Sequence, residues 1–341
     1  MKKVLASILV LCLVVMTGSF VALAEGAQQH ADLKIAMLSD PVGTEKFLLQ
    51  ALDALKASSE ANGFQYTSIE CPDVASWEEN TRGAAEDGYN LIVGVSWRAA
   101  EPFSALAEEF PNTKFAVIDT NAQNEAVKSI SFNMVEGTYV LGAMVGTAFP
   151  DEKLFGYVCN FQDQASYEYR YGFSQGVLSV NPNAEFMYNY ANSYSDTSVV
   201  YEYTMQQRAA GCTFIFGGVA SSANFGIYQA ALELGEKGTP IYTTGLSVDQ
   251  TTEENPYIIG GLLKDTGVCM TSVVDEFLAG NFTGGNQVAG IEDGACGVVG
   301  ITTDSFIFRN ADIMTDAVLE AGRAARAQIV SGEVTVVAPQ E

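Results

Sequence analysis

Polar or aromatic residues follow the predicted hydrophobic strands in both halves of the chain, at the point where each strand ends. These residues are Asp40, Ser96, Trp97 and Asp119 in the first half and Gly217, Gly218, Ser247, Asp249 and Lys264 in the second half. In parallel α/β sheets, ligands bind beyond the carboxyl ends of the strands. The pattern therefore predicts two sheets whose strand ends provide binding groups for a small molecule.

Two kinds of side chain in this chain suit a flat, polar ligand. Asp40 and Asp119 carry carboxylates, which accept hydrogen bonds from vicinal hydroxyls or ring N–H groups. Each charge-assisted bond contributes roughly 1.5–3 kcal/mol. Phe47, Trp97 and Tyr194 are aromatic residues near strand ends or first helical turns, and stacking on such a ring contributes roughly 0.5–1.5 kcal/mol beyond the area it buries. These groups predict a site for a small polar ring compound.

Several of these residues also have a structural interpretation. Asp119 can cap the turn that follows its strand, and Asp40 can stabilise an Asx turn before Pro41. Lys264 can be a solvated lysine at a strand end. Phe47 lies on the apolar face of a predicted helix, where core packing is the alternative. The residue pattern leaves these alternatives open.

Short apolar strands alternate with amphipathic helices along most of the chain, which predicts parallel α/β sheets. One alternating set begins with the strand Leu33–Leu38 and includes the strands Leu91–Val95 and Lys114–Ile118. The stretch Glu136–Phe149, which is rich in Gly and Ala, predicts a tightly packed helix. A second alternating set begins with Leu154–Val158, includes the strand Glu185–Tyr190 and the helix Thr266–Leu278, and ends with the helix Ile313–Val330. The Gly-rich stretch Gly280–Gly294 carries no predicted strand and precedes a predicted strand, Gly297–Thr302. Each half therefore holds about four β-α units, which favours two similar lobes.

Residues 1–24 are typical of an export signal. A positively charged start and the apolar stretch Val4–Val15 precede the small-x-small sequence Ala22-Leu23-Ala24, which predicts cleavage after Ala24. The apolar stretch is shorter than the ~20 residues that a membrane span needs. Cys12 lacks the small preceding residue of a lipidation site, so no lipobox is predicted. We expect a periplasmic or extracellular protein with a polar tether over residues 25–31.

The composition limits the partners and the chemistry of the protein. A net charge of −24 over 341 residues repels nucleic acid and anionic membranes. The one histidine, His30, lies in the tether, which excludes a histidine triad or a histidine-rich metal site in the folded body. Sequence motifs of dinucleotide sites, phosphate-binding loops, nucleophile elbows and calcium loops are missing. We expect no enzyme activity, no cofactor and no metal.

Five cysteines follow the predicted signal. They are Cys71, Cys159, Cys212, Cys269 and Cys296. No C-x-x-C pair occurs, and several of the five lie in apolar runs that are typical of small core residues. The spacing leaves both a structural disulfide and five separate core thiols open.

Four stretches resemble one protein family in their order and spacing. They are Gly88–Val95, Phe115–Asp119, Glu136–Ala143 and Gln328–Val334. In these residues the chain resembles the basic membrane protein family, the nucleoside-binding receptors of bacterial ATP-driven importers. The resemblance covers nearly all of the chain after the signal.

The resemblance implies a type I periplasmic-binding-protein fold, with two Rossmann-like α/β lobes and a hinge of three crossings. The implied crossings are near Asn133, Leu263 and Gln287. The implied lobes are residues 32–132 with 264–287 and residues 133–263 with 288–341.

The resemblance also implies roles for the residues at strand ends. Aromatic side chains would sandwich a base, while aspartates and a lysine would hold the base edge and the ribose. The predicted ligand-binding residues are Asp40, Phe47, Trp97, Asp119, Tyr194, Gly218, Ser247, Asp249 and Lys264. The chain departs from the family at Leu48, where an asparagine is expected, and at Ser247, where a ribose-binding aspartate is expected. Asp249, two residues further on, is the candidate replacement.

The predicted function is that of an exported solute-binding protein of an ABC importer. It would bind a purine nucleoside, or a related small polar ring compound such as a free base, in a cleft between the lobes that closes by a hinge. Its expected partners are this ligand and a membrane permease, and a monomer is expected. A ligand-presenting sensor for a chemoreceptor or kinase is one alternative, and a secreted carboxylate-based nucleoside hydrolase is another.

Overall fold

The computed structural model describes residues 30–43, 45–218, 221–303 and 306–338, so the predicted export signal lies outside the described residues. The chain divides into two compact units. The first unit contains the described residues up to Ser131 together with Thr266–Gln287, and the second contains Phe132–Asp265 together with the residues from Val288 onward. The three-crossing hinge stays a prediction.

Strands and helices alternate along the chain, as the hydrophobic pattern predicts. The strands are β1 Lys34–Ser39, β2 Gln65–Glu70, β3 Leu91–Val95, β4 Lys114–Ile118, β5 Lys128–Phe132, β6 Leu154–Cys159, β7 Glu185–Tyr190, β8 Ile215–Gly218, β9 Thr243–Ser247, β10 Ile258–Lys264, β11 Gly285–Ala289 and β12 Cys296–Val298. The helices are α1 Lys46–Asn62, α2 Val74–Glu86, α3 Ala100–Glu109, α4 Met134–Ala148, α5 Gln164–Val180, α6 Thr197–Ala210, α7 Phe225–Glu236, α8 Thr266–Leu278 and α9 Asp316–Val330. Short 3₁₀ turns precede α3 and α7, at Trp97–Ala99 and Ser221–Asn224.

The first unit is built on a six-stranded sheet in the order β2-β1-β3-β4-β5-β11. Pairing between β2, β1, β3, β4 and β5 is parallel throughout. Alternate buried residues of the strands, such as Leu38, Ile92 and Val117, form one core with Trp77 of α2 and Phe103 of α3. On these strands the alternation arises because successive side chains point to opposite faces of a sheet. Helix α8 packs on α1 and contacts β3 and β4.

The second unit contains two three-stranded sheets, β7-β6-β8 and β9-β10-β12. A parallel bridge between Phe214 and Tyr242 joins them, because Ile215 N–H donates to the Tyr242 carbonyl at 2.9 Å and Tyr242 N–H donates to Thr213 at 2.8 Å. The strand order is therefore β7-β6-β8-β9-β10-β12. Among the described strand pairs of this unit, only β12 is antiparallel to its neighbour. The predicted α/β class with parallel sheets is confirmed.

Side-chain caps fix where several helices begin. Asp73 and Ser76 form a reciprocal capping box at the start of α2, with Ser76 N–H donating to the Asp73 carboxylate at 2.9 Å. Thr315 caps α9, so this helix starts at Asp316 and the predicted start at Ile313 is wrong. The C-terminal end of α1 is fixed by Gly63, which follows the helix with φ 82° and donates its N–H to the Ser59 carbonyl.

Two further predictions for the last third of the chain are wrong. The Gly-rich stretch contains the strand β11, which the apolar pattern missed because its central residues are exposed. The predicted strand Gly297–Thr302 is limited to β12, because Thr302 N–H turns back to bond the Val298 carbonyl at 2.9 Å.

Among the described residues, we find no helix with the length and apolar character needed to cross a membrane.

Candidate functional site

The first unit has its topological switch point between β1 and β3. The chain leaves β1 towards β2 on one side, then returns to place β3 on the other side of β1. In open α/β sheets, ligands bind in the crevice that forms beyond the carboxyl ends of the strands at such a point. Asp40 directly follows β1 and Ser96 directly follows β3, so both residues stand at this position.

The Asp40 carboxylate joins the ends of β1 and β3. Ser96 Oγ donates to Asp40 Oδ2 at 3.0 Å, and Arg98 Nη1 donates to Asp40 Oδ1 at 2.7 Å. Ser96 Oγ also accepts a bond from Arg98 N–H at 3.3 Å. Asp40 therefore holds an arginine in place, instead of forming the Asx turn that was the alternative.

An exposed aromatic ring lies beside this ion pair. Trp97 is 67% exposed, although a tryptophan side chain is usually well covered. The Arg98 guanidinium lies 4.9 Å from the centre of the Trp97 ring, within the range of a cation–π contact. The 3₁₀ turn that starts at Trp97 therefore presents an indole and a guanidinium together at the strand end.

Asp119 occupies an unusual backbone position at the end of β4. Its φ is 75°, and its N–H donates to the Ile130 carbonyl of β5 at 2.8 Å. A positive φ is uncommon outside glycine, although aspartate and asparagine tolerate it better than other residues. The half-buried side chain therefore leaves the strand in a direction that an ordinary extended residue would not give.

Phe47 lies in the first turn of α1 and is half-buried, so it is not a pure core residue. Its carbonyl accepts a bond from Thr266 Oγ1 at 2.5 Å, which fixes the start of α1 against the start of α8. The next residue, Leu48, is 6% exposed. Leu48, where the resemblance implies an asparagine, therefore adds to the core of this unit.

The second unit has an equivalent switch point between β6 and β8. Cys159 ends β6, Gly218 ends β8, and Cys159 Sγ donates to the Gly218 carbonyl at 2.9 Å. A Cβ atom on Gly218 would lie 2.8 Å from the Tyr157 ring, so only glycine fits here. The backbone of β8 therefore ends against the Tyr157 ring, beside the carboxyl end of β6.

Tyr194 is an exposed aromatic residue near this second switch point. It is 55% exposed, and its ring centre lies 5.0 Å from that of Phe161, which follows β6. Asn160 is buried and donates from Nδ2 to the Ser193 carbonyl at 2.7 Å, which ties the Tyr194 loop to the end of β6. Each unit thus has an exposed aromatic residue near its switch point, Trp97 in the first unit and Tyr194 in the second.

Ser247 and Asp249 differ in what their side chains can do. Ser247 ends β9 with φ 71°. Asp249 uses both carboxylate oxygens within the unit: Oδ1 accepts from Thr251 N–H at 2.9 Å and from its hydroxyl, and Oδ2 accepts from Ile307 N–H at 2.7 Å. This bonding supports a structural role for Asp249 in fixing the loop at Ile307, and its ligand contact stays a prediction.

Lys264 ends β10 in a partly buried, polar environment. Its Nζ lies 4.9 Å from the centre of the Phe132 ring. Burial raises the pKa of Glu168 on α5, while the Gln164 amide and the positive charge of Lys264 both favour its ionised form and oppose that rise. Lys264 is therefore electrostatically linked to a carboxylate and is more than a solvated strand-end lysine.

Sequence reasoning missed three residues near these strand ends, Arg98, Phe161 and Glu168, and it named Ser96 only as a residue that follows a strand. Phe161 could have been found, since it follows β6 as closely as Trp97 follows β3. Arg98 lies within a turn and Glu168 within a helix, and their partners, Asp40 and Lys264, are distant in the sequence. In the described part of the chain, no group of three or more His, Cys, Asp or Glu side chains could hold a metal ion.

The fold is that of the ABC solute-binding proteins. A solute-binding protein of an ABC transporter system from Aeropyrum pernix K1 has a similar structure, with a TM-score of 0.73 at 20% identity. The similarity covers 91% of this chain and 94% of that one. Solute-binding proteins of ABC transporters are therefore the class of proteins whose fold this chain has.

The sequence identifies the family within this class. Residues 38–340 match the family described as Bmp, ABC transporter substrate-binding protein PnrA-like. The chain therefore belongs to the Bmp family, and the resemblance found in the sequence is confirmed.

Two relatives match over most of their length. The CD4+ T-cell-stimulating antigen of Listeria innocua serovar 6a is 25% identical, over 89% of this chain and 88% of the relative. The ABC transporter nucleoside-binding protein BmpA of Lactococcus lactis subsp. cremoris is 22% identical, over 89% of each chain. The protein is accordingly similar along nearly its whole length to a protein named for nucleoside binding.

Proposed function

We propose that this protein is an exported receptor of an ABC importer, and that it binds a purine nucleoside with strand-end residues of both units. The importer delivers the ligand through a membrane permease, so the receptor binds and releases it chemically unchanged. In this proposal the receptor acts outside the cytoplasm as a monomer, after its signal has been removed. It closes on its ligand by a hinge movement.

The observation that carries the proposal is the pairing of an exposed aromatic residue with polar groups at each switch point. Trp97 stands beside the Asp40–Arg98 pair, and Tyr194 stands beside Asn160. A purine has two flat faces for such rings and a polar edge for such groups. A sugar without a base has no aromatic face of its own to stack on the two large exposed rings.

Asp119 and Lys264 add charged groups at other strand ends. In the proposal, Asp119 accepts bonds from hydroxyl or ring N–H groups, and Lys264 donates to an oxygen of the ligand. Ser247 stands where the resemblance implies a ribose-binding aspartate, and both carboxylate oxygens of Asp249 already accept hydrogen bonds within the protein. The ribose would therefore be held by fewer charged groups than the resemblance implies for the family. A free purine base is therefore the second candidate ligand.

Calorimetric titration and thermal shift with a panel of ligands test this proposal. The panel contains guanosine, inosine, adenosine, the free bases, ribose, hexoses and amino acids. A ligand at ~100 times its dissociation constant stabilises the folded state by about 2.7 kcal/mol. We expect purine nucleosides to give this shift. Binding of hexoses or amino acids with no nucleoside binding would contradict the proposal.

Variants of the two exposed aromatic residues test whether each unit contributes to nucleoside binding. Trp97→Ala and Tyr194→Ala should each weaken nucleoside binding about tenfold, because each removes roughly 0.5–1.5 kcal/mol of stacking together with buried apolar area. Tyr66→Ala is the matched control, since Tyr66 is an exposed aromatic residue on the edge strand β2, away from the strand ends. Equal affinities for all three variants would exclude the two switch points as ligand sites.

A further inference from the structure

We infer that Arg98 recognises the O6 and N7 acceptors of the purine, so that the protein selects 6-oxopurine nucleosides, such as guanosine and inosine, over adenosine. This inference rests on the proposed function and names the ligand class of the same site. It assigns the direct contact to Arg98, and it makes Asp40 the residue that positions this arginine.

The hydrogen bonds of Arg98 leave one edge of its guanidinium unused. Nη1 donates to Asp40 Oδ1 at 2.7 Å, and the backbone N–H donates to Ser96 Oγ. Across residues 30–43, 45–218, 221–303 and 306–338, Nε and Nη2 of Arg98 have no acceptor within the protein. The Arg98 side chain is 36% exposed, so the unused N–H groups belong to a partly uncovered side chain at the switch point.

The orientation of this arginine is fixed on two sides. Asp40 holds it by the ion pair, and the Trp97 ring covers one face at 4.9 Å. An arginine held in this way has less side-chain freedom to lose when a ligand binds, and its planar fork gives directional bonds. A guanidinium fixed beside an aromatic ring therefore suits the edge of a flat ligand.

The charge balance favours a neutral acceptor over an anion. The Asp40 carboxylate cancels the charge of Arg98 at 2.7 Å, so a phosphate or carboxylate at the free edge would also meet the field of Asp40. The chain as a whole carries a net charge of −24 and repels anions further. A carbonyl oxygen next to a ring nitrogen accepts the same two N–H bonds without this repulsion.

Purines differ at the edge that accepts such a fork. Guanine presents two acceptors there, N7 and O6, and arginine bonds both of them in a bidentate manner. Hypoxanthine has the same pair, since it carries the same oxygen. Adenine presents N7 together with an amino group, which is a donor and would face the N–H groups of Arg98. A ligand that leaves N–H donors of the site without an acceptor binds much more weakly than one that pairs them.

Calorimetric titration of the whole exported chain with four ligands tests the inference. The ligands are guanosine, adenosine, 7-deazaguanosine and guanosine 5′-monophosphate. We expect guanosine to bind on the order of tenfold to a hundredfold more tightly than adenosine. Replacement of N7 by carbon in 7-deazaguanosine should weaken binding by several-fold, and the monophosphate should bind no more tightly than guanosine.

Arg98→Met removes the donors but keeps a long apolar side chain over Trp97. We expect this variant to bind guanosine and adenosine about equally, and to lose the difference between guanosine and 7-deazaguanosine. Arg82→Met is the matched control, because Arg82 also pairs with a carboxylate, Glu109, lies over an aromatic ring and has a 36% exposed side chain. It should keep the wild-type preference. If Arg98→Met fails to fold, Arg98→Lys keeps the charge and should still lose most of the preference.

The outcomes separate this inference from the proposed function. Tight adenosine binding equal to that of guanosine, a preference that survives in Arg98→Met, or tighter binding of the monophosphate would overturn the role of Arg98 and leave nucleoside binding intact. Failure of every nucleoside to bind would overturn the proposed function, and the inference with it.

Discussion

Three residues other than glycine have a positive φ in the described part of the chain, and all three lie at the ends of strands. Asp119 follows β4, Asn192 follows β7 and Ser247 ends β9. The left-handed conformation costs roughly 1–2 kcal/mol for a residue with a side chain. Such strain persists only where the surrounding structure enforces it, and it is commonest at binding and active sites. Two of the three are residues that the sequence already pointed to.

Asp119→Asn separates the charge of this residue from its backbone role. Asparagine tolerates a positive φ as well as aspartate does, so the melting temperature should stay close to that of the wild type. Guanosine affinity should fall about tenfold or more, because a hydrogen bond to a charged group contributes roughly 1.5–3 kcal/mol. Calorimetric titration measures the affinity and thermal melting measures the fold.

Asp53→Asn is the control for loss of one negative charge, because Asp53 lies on the exposed side of α1. The Asp53→Asn variant should keep the guanosine affinity and the melting temperature of the wild type, apart from any effect of the changed net charge. A variant of Asp119 that binds guanosine as well as the wild type would remove this aspartate from the site.

The five cysteines that follow the predicted signal are all buried, and no disulfide joins any two of them. The disulfide that the sequence left open does not form in this structure. Burial raises the pKa of Cys71 and of Cys159, and burial together with the nearby charge of Glu152 raises the pKa of Cys212 to about 12. Their thiolate forms, which are the reactive ones, are therefore suppressed at neutral pH.

We predict that Ellman's reagent detects almost no thiol in the folded protein and five thiols per chain in denaturant, once residues 1–24 have been removed. Reductant should leave the melting temperature unchanged, because no cross-link constrains the unfolded chain. A drop of several degrees in reductant, or fewer than five thiols after denaturation, would show that a disulfide is present.

Glu168 gives a pH-dependent prediction. Since burial raises its pKa in the folded state, the folded protein binds a proton here more readily than the unfolded chain does. Its contribution to stability therefore falls as the pH rises from the unfolded pKa through the folded pKa. Glu168→Gln should raise the melting temperature at pH 7 and lose this advantage near pH 4.

Glu101→Gln is the reference for this experiment, because Glu101 is exposed in the first turn of α3 and its replacement removes the same charge. Only the difference between the two variants reports on burial. A Glu168→Gln variant that is less stable than Glu101→Gln at pH 7 would indicate that attraction to Lys264 outweighs desolvation.

At the scale of elements, the closest packing in the second unit is between α4 and α5. Glycines on both helices let the backbones approach: a Cβ on Gly142 would clash with the Phe173 carbonyl and lie 2.9 Å from Val177 N, and one on Gly176 would clash with Tyr139. The sequence indicated a tightly packed helix here from its Gly and Ala content. Its partner, α5, could not be named from composition alone.

Gly142→Ala should destabilise the protein by about 1–3 kcal/mol, because the added methyl group overpacks the contact between α4 and α5. Gly83→Ala in α2 is the matched control, since a Cβ there meets nothing within 4 Å. Alanine should stabilise that helix by roughly 0.5–1 kcal/mol. Denaturant unfolding measures both, and equal effects of the two substitutions would contradict the packing described for α4.

Regular strands and helices were predictable because their hydrophobic periods are strong. The strands β3, β4 and β7 and the helix α8 have the predicted bounds. β3, β4 and α8 carry buried apolar residues, and β7 carries half-buried aromatic residues such as Phe186 and Tyr190. The strand β11 was missed, since Asn286 to Val288 are exposed and the strand is defined by its pairing with β5. A period-based argument cannot detect a strand whose side chains do not enter a core.

The candidate site was predictable to a similar extent. Residues that directly follow strands, such as Asp40 and Trp97, were found from position alone. The partner of Asp40 was not, because Arg98 is 58 residues away and meets it only through the pairing of β1 with β3. The bond from Ile307 N–H to the Asp249 carboxylate could not be predicted from the sequence for the same reason. Long-range pairing decides which polar groups are occupied and which are available.

At the scale of the whole molecule, the first unit is completed by a distant segment of the chain. Thr266–Gln287 supplies α8 and most of β11. Lys128 of β5 is buried and pairs with Glu276 of α8 at 2.8 Å, so removal of the segment would leave a buried charge without its partner. Loss of one member of a buried pair typically costs about 3–5 kcal/mol.

We predict that residues 32–131 alone do not fold, while residues 32–131 joined to 266–287 by a flexible Gly/Ser linker give a cooperative melt. The segment covers β3 and β4 and adds a sixth strand to the sheet. Circular dichroism during heating distinguishes the two fragments. Cooperative unfolding of the shorter fragment would show that the segment is dispensable for this unit.

The five shielded sulfur atoms make the protein a convenient host for site-directed spectroscopy. A single cysteine placed on the solvent-facing side of a helix would be the one thiol that a maleimide dye or nitroxide reaches, so no native residue needs to be replaced first. With one probe on α2 and one on α6, energy transfer recorded before and after guanosine addition would test the proposed hinge movement, and an unchanged transfer efficiency would contradict it.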